Sequence, residues 1–91
     1  MNFEWDNNKN ELNTKKHSFS FEEAKEVFND NQRVTYESNN IEFSEKRYIP
    51  VGKIINLLYT VIFTFRDTNI RIISARRSND KERKEYKLKN S

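Results

Sequence analysis

Apolar and polar positions change rhythm along this chain, and each rhythm predicts an element. Phe3-Glu4-Trp5 alternates like a short strand with one buried face, and Asp6 then supplies an N-cap for a polar helix over about residues 7–16. Leu12 is the lone aliphatic side chain of that helix and is expected to be held by tertiary contacts. Ser20-Phe21-Glu22-Glu23 matches a capping box, and Phe19 stands where a hydrophobic staple would meet Ala24. Phe21, Ala24, Val27 and Phe28 share one helical face, which belongs in a core. Asn29-Asp30-Asn31 ends the helix, because short polar side chains compete for the backbone.

Strand patterning follows. Arg33 to Tyr36 and Arg47 to Val51 read as a hairpin pair around a polar loop over about residues 37–45. Pro50 cannot donate to a ladder, so it predicts an edge or bulged strand. Gly52 to Asn56 read as a turn, and the near-continuous apolar run Leu57 to Phe65 as a central strand covered on both faces. Arg66 to Asn69 then turn the chain into Ile70 to Ala75, an antiparallel partner. Ser78 is predicted to cap a last helix from about Asn79 to Leu88, with Asp80 at the positive end of its dipole. The expected fold is one α+β domain over residues 1–91: an antiparallel sheet packed against two N-terminal helices, with a C-terminal helix.

Composition alters this picture in a few respects. Equal shares of hydrophobic and charged residues, 34% each, would suit a disordered chain, but 13% aromatics and dense β-branched runs argue for a packed one. With no cysteine there is no disulfide framework, thiolate nucleophile or Cys-based zinc site. The longest apolar stretch, Ile54 to Phe65, is broken by Asn56 and falls short of the roughly 20 residues of a spanning helix. The start Met1-Asn2-Phe3-Glu4-Trp5-Asp6 lacks the basic and apolar regions of a secretory signal, so a cytoplasmic protein without a membrane partner is expected.

Charge is the feature that points outward. Residues 66–91 carry nine Lys/Arg against four Asp/Glu, whereas residues 1–65 carry eight against ten, within a net charge of +3. That asymmetry fits a polyanionic partner for one face. The run Ile70-Arg71-Ile72-Ile73-Ser74-Ala75-Arg76-Arg77 is a β-branched strand that ends in paired arginines and leads into a charged helix, a junction suited to a phosphate backbone. By strict alternation Arg71 shares a face with Ile73 and Ala75, and Arg76 takes the opposite one unless the strand end twists.

In order and spacing, Phe3-Glu4-Trp5-Asp6, Lys9, Lys16-His17, Ser20-Phe21-Glu22-Glu23-Ala24, Val27-Phe28, Arg47, Gly52 and the run from Ile70 to Arg77, followed by Glu82 and Tyr86, resemble the BrnT family of type II toxins. The resemblance implies a RelE-like fold, toxicity through RNA cleavage and blocked translation, and neutralisation in a hetero-oligomer by a ribbon-helix-helix antitoxin of the BrnA type. Operator DNA would be reached only through that antitoxin. Ser18 departs from the family, which usually has glycine after Lys-His; if the position needs a positive φ, serine strains the turn beside His17.

Metal-free RNA cleavage uses the 2′-hydroxyl as nucleophile, so a protein must help to deprotonate it, stabilise the pentacoordinate phosphate and protonate the departing 5′-oxygen. Arginine suits the middle task through its planar, permanently charged fork, and the resemblance favours Arg71 and Arg76 for it over ion pairs with Glu82, Glu85 or loop carboxylates. His17 is the only side chain whose unperturbed pKa lies near neutrality and is the candidate for proton transfer, against a structural role in its turn. Glu82 could orient an arginine or act as a base, and Tyr86, one helical turn on, could meet a base or phosphate or seal the helix to the sheet. Lys16, Arg47, Arg77, Lys81, Arg83 and Lys84 are candidate RNA contacts, or solvated charges. Trp5 reads as structural. No histidine pair, carboxylate triad or Gly-rich loop offers a metal or nucleotide site, so neither metal nor cofactor is expected. Competing readings are a non-catalytic interaction module acting as corepressor with a DNA-binding antitoxin, and a nucleic-acid-binding domain without chemistry.

Overall fold

A computed structural model describes residues 1–38 and 45–91. Its elements are β1 (Phe3–Trp5), α1 (Asn7–His17), α2 (Phe21–Ala24) continued by a 3₁₀ segment (Lys25–Asn29), β2 (Val34–Ser38), β3 (Arg47–Ile54), β4 (Leu57–Arg66), β5 (Asn69–Arg77) and α3 (Asp80–Lys89). They make an α+β fold around one five-stranded sheet of order β1-β5-β4-β3-β2. Every pairing is antiparallel except β1 with β5, which is parallel, so the sheet is mixed rather than antiparallel throughout. The predicted loop over residues 37–45 begins later, since Glu37 and Ser38 extend β2; residues 39–44 lie outside the described residues.

The core lies on one face of the sheet. Phe19, Phe21, Ala24 and Val27 pack there on Val61, Phe63, Ile70, Ile72 and Ala75, with Phe3, Trp5, Phe28, Tyr48, Ile54 and Tyr59 around them. Both halves of the Ser20–Glu23 capping box are present, and the staple residues Phe19 and Ala24 are both buried. Trp5 meets Phe21 edge to face at 6.1 Å, a structural position as expected.

Helix α1 docks in another way than predicted. Leu12 is 67% exposed, and Asn13 is the buried residue. The cause is the edge of β5: β1 stops pairing at Ile72, so the peptide groups of Ala75 face outward. The Asn13 amide donates to the carbonyls of Ala75 (2.7 Å) and Phe19 (2.9 Å) and accepts from the Ala75 N–H (3.2 Å), which an aliphatic side chain could not do. Asn10 accepts from the Phe21 N–H (2.9 Å) on the same helix side.

Three further expectations need correction. Strand β3 is interior, between β2 and β4; its register with β4 passes from Tyr48–Phe63 to Val51–Thr60, so the ladder is interrupted where Pro50 has no N–H to give. Gly52 and Lys53 lie in β3, and the turn is only Ile55-Asn56. Gly52 is needed for close approach, because a Cβ there would lie 2.8 Å from Val27 Cγ1 and 3.0 Å from the Val27 carbonyl oxygen. Finally, Asn79 caps α3, in a capping box with Glu82, while Ser78 is buried and its Oγ lies 2.8 Å from Thr60 Oγ1.

Candidate nucleic-acid interface

The second sheet face is built by an irregularity in β5. Ile62 pairs with Ser74 and Phe63 with Ile72, so Ile73 is an extra residue, a bulge. It resets the alternation: Ile70, Ile72 and Ala75 are buried in the core, while Arg71 lies opposite Thr64 and Arg76 opposite Thr60, two residues four apart on β4. Arg71 and Arg76 therefore share a face, contrary to strict alternation. Arg47, paired with Thr64 from the other side, joins them.

Each of these arginines has its own surroundings. Arg71 donates to Glu4 at 2.6 Å from β1, and Glu4 also accepts from Asn69 at 3.0 Å. Asn69 and Arg71 hold the Glu4 carboxyl below the ordinary carboxylate range. Arg76 grips Glu82 with both ends of its fork, at 2.8 and 2.9 Å. Glu82 also accepts from Thr60 (3.0 Å) and from the Asn79 N–H (2.8 Å). Burial opposes its ionisation, but the donors from Arg76, Asn79 and Thr60 outweigh that and keep the carboxyl below its usual range. A carboxylate so occupied is a poor base and a firm support for Arg76.

Helix α3 covers the Arg76 end of this face and is tied down by polar groups. Tyr86, 6% exposed, donates to Asp30 at 2.6 Å, and Tyr36 on β2 donates to Glu85. Burial and these carboxylates push both phenols up to about 12. Tyr86 thus seals α3 to the body. Arg83 is engaged by Asp80 and the Ser78 carbonyl, whereas Lys81 and Lys84 stand in solvent.

The remaining candidates sit at the exit of β5. Arg77 points to the core side and lies over the Tyr59 ring at 5.7 Å, which stacks on Phe19 at 4.2 Å. Helix α1 follows β1 along the β5 edge, with Trp5 at Ile72 and Asn13 at Ala75. Its last turn, beyond Asn13, carries exposed Lys16 and half-buried His17. Arg71 is about five residues back along the strand, so the structure brings together Arg76 and Glu82, with Arg77 next to them, at the exit and Arg71 with Arg47 and Glu4 towards the other end, while Lys16 and His17 make no hydrogen bond or ion pair with either group among the described residues. Sequence reasoning missed Glu4, Thr60, Asp30 and Asn13. Glu4 could have been found from its off-core place in the alternation, and Asn13 from its i, i+3 spacing to Asn10 on a helix without an apolar stripe.

Among the described residues no three His, Cys, Asp or Glu side chains cluster as metal ligands, and no helix is long and apolar enough to cross a membrane. A small α+β fold with fixed, partly exposed arginines on one sheet face suits a protein that handles a phosphate backbone. The family model described as "Ribonuclease toxin, BrnT, of type II toxin-antitoxin system" matches residues 5–82, and the chain belongs to that family. Membership brings an RNA target and an antitoxin partner. None of the curated proteins compared with the chain matches it.

Proposed function

We propose that this toxin cleaves RNA without a metal, within a RelE-like fold over residues 1–91, and that the scissile phosphate lies beside Arg76. The observation that carries the reading is the bulge at Ile73, which turns Arg71 and Arg76 to one face, with Arg76 braced by Glu82. The RNA 2′-oxygen attacks phosphorus while His17 takes the 2′-hydroxyl proton and returns it, directly or through solvent, to the departing 5′-oxygen; Arg76 neutralises the charge that builds on the phosphorane. The P–O5′ bond breaks, leaving a 2′,3′-cyclic phosphate and a 5′-hydroxyl. Glu82 is a positioning residue here, and Tyr86 acts only by holding α3. Arg71 and Arg47 bind a neighbouring stretch of backbone, and Lys16, Arg77, Lys81, Lys84 and Arg83 supply the surrounding positive field. Cleavage blocks translation in the cytoplasm, and a ribbon-helix-helix antitoxin of the BrnA type neutralises the toxin and carries it to operator DNA.

The test is cleavage of a synthetic RNA in chelator. The wild-type chain should cleave, and Arg76→Ala, with an unchanged circular dichroism spectrum, should lose about 100-fold or more in rate. Undiminished cleavage by folded Arg76→Ala, or cleavage that requires added magnesium, would overturn the reading.

A further inference from the structure

The β3–β4 hairpin turns on an unexpected residue. Ile54 pairs with Leu57, so Ile55 and Asn56 form the whole loop, and Ile55 has φ 59. A β-branched side chain in the left-handed region crowds its own backbone, and two-residue hairpin loops with positive φ at the first position select glycine. The other positive-φ residues among those described, Ser18 and Asp67, are small and polar. Ile55 gains nothing from burial to offset this, because it is 88% exposed. Folding alone gives no reason for isoleucine here.

A groove runs beside this tip. Its floor is Phe19, Tyr59 and Ile54, Leu57 stands on its rim at 42% exposure, and its charged lining residues are Glu23 and Glu26. On a chain of net charge +3, this apolar groove carries carboxylates along its α2 side, across from Arg77 over the Tyr59 ring, and it lies on the opposite sheet face from Arg71 and Arg76. The Glu23 and Glu26 side repels a phosphate backbone and attracts cations beside apolar groups. We propose that this groove docks a segment of the antitoxin that presents apolar side chains flanked by Lys or Arg, a second anchor apart from the basic face, with Ile55 and Leu57 inserted into the partner. Family membership supplies the partner, and the proposal does not depend on which groups catalyse cleavage.

The experiment titrates the cognate antitoxin into the wild-type chain, Ile55→Gly and Glu26→Lys, with melting of each free toxin and cleavage of naked RNA measured in parallel. Ile55→Gly should melt higher than wild type yet bind the antitoxin about tenfold or more weaker. Glu26→Lys should weaken binding most at low salt. RNA cleavage by both free variants should match wild type, and if no form cleaves, the affinities still decide the docking proposal. Wild-type affinity in both variants would overturn it. So would a wild-type dimer that Ile55→Gly dissolves, since the groove would then be a contact between two toxins, or a loss of RNA affinity in Ile55→Gly.

Discussion

Ser18 is where a single residue's backbone bears on the candidate site. It closes α1 with φ 52 and ψ 37, and its N–H caps the Thr14 carbonyl, so the positive φ that glycine would take freely is imposed on serine next to His17. A left-handed residue with a Cβ costs about 1 kcal/mol or somewhat more, partly offset by the greater freedom of glycine in the unfolded chain. Ser18→Gly should therefore stabilise the toxin by about 0.5–1 kcal/mol, visible as a rise of several degrees in melting temperature. A fall would show that the serine hydroxyl contributes more than its backbone loses. Asn13 illustrates the opposite case, a residue whose value lies in bonds rather than conformation: three backbone groups depend on its amide.

At the scale of elements, docking of α3 rests on ionisable pairs, since Tyr86 is its one buried residue and Leu88 is 73% exposed. Asp30 and Glu82 are both held below their ordinary values: at each, burial works against ionisation and hydrogen-bond donors prevail. Their contribution to stability is present above the ordinary carboxylate range, near pH 4, and is lost as pH falls through the depressed values. Tyr36 and Tyr86 work in the other direction. Raised to about 12, they stabilise fully below the ordinary value of 10.0, and that stability is lost as pH rises towards 12. Protection of the α3 amides, taken relative to the intrinsic exchange rate at each pH, should accordingly fall at low pH, and an ultraviolet titration should lose one tyrosine from the class ionising near pH 12 in each of Tyr36→Phe and Tyr86→Phe. An unchanged high-pH class in either variant would contradict the assignment. Much of this architecture was legible: the Ser20 capping box, the β4–β5 hairpin and the short first strand follow from local pattern. What escaped depends on partners distant in sequence. The parallel pairing of β1 with β5, the interior place of Pro50 and the bulge at Ile73 are set by which strands meet, and alternation cannot register one extra residue. The arginines were legible as chemistry and Glu82 as a carboxylate that could orient one of them, but their shared face and the Glu4 partner were not.

Over the whole molecule, positive charge gathers in residues 66–91, which build the arginine strand and α3, while Glu23 and Glu26 edge the groove beside the β3–β4 tip. On the proposed site, an antitoxin that neutralises the nuclease directly covers Arg71 and Arg76, and a stable complex needs about 1,000 Å² or more of buried surface, more than the phosphate contacts alone would bury. Lys81 and Lys84 are exposed beside that face, so they can steer a partner without holding it. Lys81→Glu with Lys84→Glu should slow antitoxin association several-fold at low salt, with little change in dissociation, and the difference should shrink as salt is raised and the Debye length falls to about 3 Å near 1 M. The same double variant should flatten the salt dependence of RNA binding, by about 0.7 in the log–log slope for each phosphate contact removed. Rates measured by stopped flow across a salt series separate these effects. An unchanged association rate at low salt, or a complex in which Arg71 and Arg76 stay open to solvent, would place inhibition away from the arginine face and leave the acidic groove as the principal anchor.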